Sequence, residues 1–458
     1  MNGLAEIKER IAPRSLGVKL IVVCFLALLI LIPALFVGGL VSERTQRAKS
    51  VAQEVSATQG GAQTLLGPTL AIPYSYEYLN DDGRKSTISA LYFVAPATAQ
   101  VSVAAQTTEL HRSLFKVPVY KTVAAFAASF DLTNVPSAAP AGAVFDWSRA
   151  ELIIGASDAR GAQSDPTLTG NGRTVNFVPA ATLASLELGS GSLTLFGVPA
   201  AEIVKPGGTF AVSAQMNFSG AQQLSILPFG KSTTVTMKSD WPNPGFDGGF
   251  LPVTRSIGEH GFEAGWAVPF IARGIHAEGG KNILSDLQKT ALTVNFVELV
   301  DPYQSVERAL KYVLLFVGMV FMTFFLFETI ARRRLHPAQY ILIGIAQVIF
   351  YLLLLSIAER IGFDWAFLLS AIATVGLIAA YAGWSFESRP FGAIALAVFG
   401  ALYGLIYLLM RLEDQALLIG SLSSFAIVAA VMFFTRHIDW YNPVAALETK
   451  PEEPNRDK

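Results

Sequence analysis

The stretch "FFLFETIARRRLHPAQYILIG", Phe324–Gly344, sets a glutamate, three arginines and a histidine between two apolar runs. Outward from it, five apolar runs follow in quick succession near 309–330, 339–358, 365–384, 391–410 and 415–434. Each has about the ~20 residues that a helix rising 1.5 Å per residue needs to cross a hydrocarbon core. A sixth, "LIVVCFLALLILIPALFVGGLV" at Leu20–Val41, stands alone near the start. Between the sixth run and the five lies a long region without any spanning run.

Composition agrees with a bilayer. A chain of 458 residues that is 52% hydrophobic and 15% charged is too apolar for an ordinary soluble protein of that size. Lys plus Arg number 34 and Asp plus Glu 35, so no global field draws nucleic acid. The single cysteine, Cys24, lies inside the first apolar run, where an intramolecular disulfide is impossible and a thiolate finds no positive environment. Packing is the expected role for Cys24.

The expected organisation is a basic leader at 1–19 with Lys8, Arg10, Arg14 and Lys19, then a first transmembrane helix at 20–41. A β-rich domain at 42–308, a five-helix bundle at 309–435 and a tail at 436–458 follow. The first helix reads as an uncleaved signal anchor, because its apolar part exceeds the usual h-region and no Ala-x-Ala pattern closes it. Cytoplasmic loops carry an excess of Lys and Arg. Arg332, Arg333, Arg334, Arg389 and Arg436 therefore fall inside if the amino terminus is inside, whereas the opposite short loops hold only Arg360 and Arg411. Six crossings, cytoplasmic termini and a periplasmic domain satisfy that count, against the contrary pull of Arg44, Arg47 and Lys49.

Three polar groups near or within the spans are candidate membrane sites: Glu328, His336 and Gln347. An ionisable residue in a spanning helix is a functional candidate by default. The plainer expectation for Glu328 is an ion pair with Arg332 one turn on, and for the arginines a topology marker. Pro337 is expected in the first turn of the third helix, with His336 within reach of a headgroup or cytoplasmic partner. In the fifth helix "GALYG" places Gly400 and Gly404 on one face, with Gly376 and Ala380 as a weaker pair in the fourth, so helices can approach closely within the chain or between copies.

The long region reads as β. Phe210, Val212, Ala214, Met216 and Phe218 alternate onto one face, as do Phe262, Ala264, Trp266, Val268 and Phe270. Shorter runs, "TVNFV" from Thr174 and "LTVNF" from Leu292, are punctuated by turns such as "NDDG", "KPGG" and "EGGKN". An antiparallel sandwich is expected, with two lobes divided at Asn134–Val144 because the region exceeds the common size for one core. The fold class is thus a mixed membrane protein: an all-α transmembrane part with a large inserted all-β domain.

Chemistry is scarce. The five histidines, His111, His260, His276, His336 and His437, show no paired metal spacing, and no G-x-S-x-G elbow, P-loop or dinucleotide fingerprint is present. No metal and no cofactor is expected. Ser157 and Asp158 in "GASDARG" read as a tight turn. In "SDWPNPGFDGGFLP", Ser239–Pro252, the aromatics Trp241, Phe246 and Phe250 could form an apolar binding rim or fold back to plug the core.

The blocks "GAQTLLGPTLAIPY", "ASDARG", "LSILPFGKSTTVTMKSDWPNPGFDGGFLP", "FFLFETIARRRLHPAQYILIG" and "TRHIDWY" resemble the signature blocks of the CreD family, bacterial inner-membrane proteins tied to cell-envelope integrity. The resemblance implies a Gram-negative inner-membrane protein under two-component control, connected with envelope stress, colicin tolerance and β-lactam response. It supplies no catalytic motif. The leading expectation is a non-enzymatic envelope factor whose β domain binds an envelope component or protein, with membrane lipids around its helices. The alternative is a transporter or flippase-like bundle with the β domain as acceptor, and a membrane enzyme ranks third.

Overall fold

The computed structural model describes residues 16–79, 84–112, 115–180, 193–296, 302–331, 333, 335–411 and 416–436. The leader residues Lys8, Arg10 and Arg14, the "NDDG" turn, Arg332, Arg334 and the tail beyond Arg436 lie outside them. The chain divides into a membrane unit, up to Arg47 and again from Val300, and a β unit, Ala48–Leu299. These divisions fall inside the expected limits of 42 and 308.

The first helix, α1, runs Leu16–Thr58 and so continues beyond the apolar run. Two short helices, α2 (Phe270–Arg273) and α3 (Asn282–Gln288), belong to the β unit. After α4 (Pro302–Lys311) come four long apolar helices, α5 (Val313–Ala331), α6 (Pro337–Ile361), α7 (Phe363–Ser385) and α8 (Arg389–Arg411). Helix α9 (Ala416–Thr435) covers the last apolar run, with a shorter apolar segment at Leu418–Phe433. Ridges and turns set the bundle: Gly362 (φ 83°) turns α6 into α7 with no intervening loop, and three residues join α7 to α8. Helix α1 packs against α6 where Gly344 has no side chain, since a Cβ there would lie 2.6 Å from Ile30. Cys24 lies on an exposed face of α1 and not in a packed interface, because the buried stripe runs through Val23, Ala27, Ile30, Ala34 and Val37.

The β unit begins where α1 ends. Gly60 takes φ 89° and Gly61 N–H returns to Ser56 O at 2.7 Å, the left-handed termination that glycine accepts without strain. Val51 and Val55 of that last stretch pack on Val117, Val119 and Ala221. The strands that follow are β1 (Gln63–Leu79), β2 (Lys85–Val94), β3 (Thr98–Arg112), β4 (Phe115–Asp131), β5 (Val144–Phe145) and β6 (Glu151–Ala156). Next come β7 (Thr167–Gly170), β8 (Arg173–Asn176), β9 (Val178–Pro179), β10 (Thr194–Pro199), β11 (Thr209–Ala221) and β12 (Gln223–Ile226). The last are β13 (Ser232–Ser239), β14 (Pro244–Gly248), β15 (Thr254–Gly258), β16 (Gly261–Val268), β17 (Glu278–Gly279) and β18 (Leu292–Phe296).

They form two sheets. One has 10 strands with the path β14-β18-β12-β1-β6-β10-β9, and β2, β5 and β17 off that path; the other has 8 strands in the order β15-β16-β13-β3-β4-β11-β7-β8. Both are mixed, which corrects the expectation of a purely antiparallel arrangement. Strands β1 and β12 pair in parallel at Gln63↔Leu224, and β3 and β13 in parallel at Thr98↔Ser232. Period-2 alternation specifies which face is buried and is silent on the direction of the neighbour.

The alternation itself is realised. Val212, Ala214, Met216 and Phe218 of β11 are buried, as are Phe262, Ala264, Trp266 and Val268 of β16. Phe270 departs from the series: Pro269 cannot donate to a ladder, the strand ends at Val268, and Phe270 opens α2 with an exposed ring. One hydrophobic cluster holds side chains from both sheets, from Leu65 to Phe296, and from strands on either side of Asn134–Val144. The expected division into two lobes there is replaced by one shared core. At its edge Arg273 is buried, its guanidinium donating to the carbonyls of Pro228, Phe229, Gly230, Ile275 and His276. Burial pushes this group down to about 10, and the carbonyl dipoles hold its charge in place of a carboxylate.

The two-residue turn between β15 and β16 sets the register of the outer hairpin. Gly261 there has φ 127°, and a Cβ would lie 2.0 Å from Ser239 O. Gly261→Ala is expected to destabilise the β unit by roughly 1–3 kcal/mol, read as a lowered unfolding midpoint, because it adds strain at a backbone conformation that only glycine adopts freely.

Candidate functional site

Helix α5 is ringed by phenylalanines, and Glu328 sits in its last turn with a side chain 8% exposed. A carboxylate in such surroundings is costly to desolvate unless its oxygens are satisfied. Both are. Lys19 in the first turn of α1 forms an ion pair with Oε1, and the Tyr340 hydroxyl in the first turn of α6 donates to Oε2 at 3.1 Å. The Lys19 ammonium also donates to Leu335 O at 3.0 Å. Lys19 is therefore no part of a solvated leader; it lies within α1, 23% exposed, with its charge turned onto α5 and the α5–α6 turn.

The expected partner of Glu328, Arg332, lies outside the described residues. Sequence spacing could not have found Lys19, since 309 residues separate it from Glu328.

His336 takes a structural position beside this group. Its Nδ1 accepts from Ala338 N at 3.2 Å while Gln339 Oε1 accepts from His336 N at 2.9 Å, a reciprocal cap with Pro337 at the first helical position. Arg333 pairs with Glu387 at 2.8 Å, which holds the Glu387 carboxyl below the usual range and puts the α5–α6 and α7–α8 turns at one end of the bundle. The other end carries its own polar contacts: Tyr303 OH donates to Glu359 Oε1 at 3.0 Å, and Asp364 accepts from Tyr407 OH at 3.0 Å and pairs with Arg411.

Gln347 stands apart, two turns along α6 from Tyr340, 0% exposed and with neither amide atom bonded. The hydroxyls of Tyr351, Ser370 and Tyr403 are likewise buried without a partner. Sequence reading singled out Gln347 alone; the tyrosines and Ser370 looked like ordinary span residues. On the outer side of α7 and α8, a groove of about 770 Å³ is lined by Asp364, Gly376, Gly400, Tyr403, Gly404 and Tyr407 among others. A Cβ at Gly376, Gly400 or Gly404 would meet nothing within 4 Å, so these glycines face open space in the chain as it stands.

In the β unit the loop aromatics turn inward. Trp241 is buried edge-on to Phe296 with Nε1 donating to Asn243 O at 3.1 Å, and Phe246 packs edge-on to Phe262 and Trp266. Phe250 packs against the same core, and its carbonyl accepts from Trp266 Nε1 at 3.2 Å. Of the two readings of this loop, these contacts are those of a plug. What remains exposed nearby is mostly aliphatic, Leu251, Val253 (73%), Ile257 and Ile271 (90%), with the ring of Phe270 beside Ile271.

Ser157 and Asp158 form the expected turn. Ser157 Oγ donates to Ala62 O at 2.8 Å, and Asp158 caps a short 3-10 turn through Arg160 N at 2.9 Å. The Arg160 guanidinium bonds to the same carboxyl and lowers its pKa below the ordinary value. Gln63, fully buried, ties this turn to the end of α1 by donating to Gly60 O and Asp158 O. Among the described residues no group of three or more His, Cys, Asp or Glu side chains gathers as a metal site would.

The family model for "Inner membrane protein CreD" matches residues 15–441. The chain belongs to the CreD family. It is 30% identical over 430 residues to the inner membrane protein CreD of Escherichia coli strain K12, a match covering 90% of this chain and 91% of that one. The long apolar helices and the family together make this CreD-family chain a multi-pass inner-membrane protein, with its buried ion pair inside the family's matched span.

Lys19→Met leaves a buried carboxylate unpaired and is expected to cost roughly 3–5 kcal/mol of stability. Glu328→Leu should cost less, because the longer and more exposed lysine can carry its charge toward the interface. Thermal unfolding of the purified membrane protein measures both, and the double change should recover most of the loss. A double variant as unstable as Lys19→Met would contradict the pairing.

Proposed function

We propose that this CreD-family chain supports the integrity of the cell envelope from the inner membrane by binding an envelope component or protein through its β unit. The observation that carries the reading is the outer edge of the 8-stranded sheet. Strand β15 pairs on one side only, all its residues are exposed, and Arg255 is its sole charge. Leu251 and Val253 lead into it, and Ile271 stands exposed just past the end of its partner β16. Natural sheets protect such edges, so an open one with aliphatic neighbours suits a partner that adds a strand and buries alternate side chains.

The reading places the β unit in the periplasm, both termini in the cytoplasm and α9 as a sixth crossing. Support comes from Arg333 and Arg389, which belong to turns at one end of the bundle, with Arg436 following α9. Tolerance of colicins and response to β-lactams would follow from envelope integrity, without catalysis by this chain. Association of two copies through the groove at Gly400 and Gly404 fits the open space there.

A second reading, movement of a polar species through the bundle with the β unit as acceptor, draws on Glu328 and on the unpaired groups around Gln347. Complementation of a deletion strain under envelope stress separates the two. With membrane levels matched, Val253→Glu combined with Ile271→Glu is expected to lose most of the rescue, and Gln347→Leu to keep it. The reverse pattern would put transport first.

A further inference from the structure

The middle of the bundle contains polar groups that no protein atom satisfies. Gln347 and Tyr351 are one turn apart on α6, and Ser370 and Thr374 one turn apart on α7. Tyr403 comes from α8. All are buried, and both Gln347 amide atoms and the hydroxyls of Tyr351, Ser370 and Tyr403 lack hydrogen-bond partners. The two tyrosines flank one ring: the Phe350 centroid lies 5.1 Å from that of Tyr351 and 4.8 Å from that of Tyr403, which brings α6 and α8 together here. Counting from the turn at Gly362 at 1.5 Å per residue, Tyr351 and Thr374 sit at about the same depth.

Such a cluster needs an explanation. A single buried amide or hydroxyl without a partner costs on the order of 1–3 kcal/mol, and native structures carry few of them. Membrane interiors are harsher, since lipid offers no replacement bond. Four such side chains within about three turns of one another on three packed helices point to a ligand that supplies the missing bonds.

The chemistry of the groups selects the ligand. The cluster holds no carboxylate, amine or imidazole, so it offers a cation or an anion no countercharge. It presents donors and acceptors together, an amide and hydroxyls, at a spot walled by the rings of Phe316 and Phe350, whose centroids lie 4.9 and 4.8 Å from that of Tyr403. Water is small, neutral and both donor and acceptor, and a buried water makes two to four bonds to groups of this kind. We propose that the bundle holds a cluster of ordered waters bonded to Gln347, Tyr351, Ser370 and Tyr403.

This site lies between two ends that are already polar. On α6 it falls between Tyr340, bonded to Glu328, and Glu359, bonded to Tyr303; those residues are about 28 Å apart at 1.5 Å per residue. Waters at Gln347 and Tyr351 would interrupt the longest apolar stretch between the two carboxylates. The bundle would then carry a hydrated station at mid-membrane, whether or not the protein transports anything.

The test uses radiolytic footprinting of the full chain in lipid nanodiscs, where hydroxyl radicals formed from bound water oxidise the side chains they touch. Tyr351 and Tyr403 are expected to be oxidised several-fold faster than Tyr120 and Tyr340, which are as buried but have hydroxyls satisfied by protein atoms. Equal rates at all four would overturn the proposal. Gln347→Leu, in protein that unfolds cooperatively as the parent does, should lose the excess oxidation at both rings. Excess oxidation that survives this change would assign the water to the lipid-facing groove and overturn the site. The sign of the stability change gives an independent reading: loss of water-mediated bonds lowers the unfolding temperature, whereas a rise in Gln347→Leu would mean that the amide was dry and the cluster empty.

Discussion

The ion pair between Lys19 and Glu328 is the constraint that the membrane unit cannot avoid. A carboxylate in the last turn of an apolar helix must be paired, and the pairing brings together residues 309 positions apart. It fixes α1 against α5 and, through Tyr340 and Leu335 O, against the turn that leads into α6. The same three elements meet again at Gly344, where the missing side chain lets Ile30 approach and Phe321 close in. A helix separated from the bundle by a whole domain is thereby given one register within it.

The two halves of the bundle satisfy their polar groups differently. At one end both oxygens of Glu328 have protein partners, and at the other a carboxylate, an arginine and a phenol share bonds. Between them, the Gln347 amide and the hydroxyls of Tyr351, Ser370 and Tyr403 are buried without protein partners. Saturated ends lock helices together; the centre leaves bonding capacity unused by protein atoms. The bundle's ends and its centre thus differ in how their polar groups are met.

The β unit shows the opposite allocation. Its large aromatics are consumed by the core: Trp241, Phe246 and Trp266 interlock around Phe262 and Phe296. A buried arginine and a buried glutamine bind backbone carbonyls at the loops that close it. The interior is complete, and the surface that is left open is a strand edge with aliphatic flanks. Recognition there would rest on backbone bonds and small apolar side chains, with little for an aromatic rim to add.

The sequence by itself determined five long apolar helices, the β character of the domain and the buried faces of β11 and β16. Those properties follow from local composition and from period, which the chain carries residue by residue. It also carried the family, in blocks spread over nearly its whole length. Three things needed the tertiary structure. Parallel pairing of β1 with β12 and β3 with β13 depends on which strands meet, and alternation is blind to that. The inward turn of Trp241 depends on where the core ends beneath its loop. The partner of Glu328 and the companions of Gln347 depend on which helix faces which, because in a spanning helix a tyrosine or serine reads the same whether it meets lipid, another helix or a bound water.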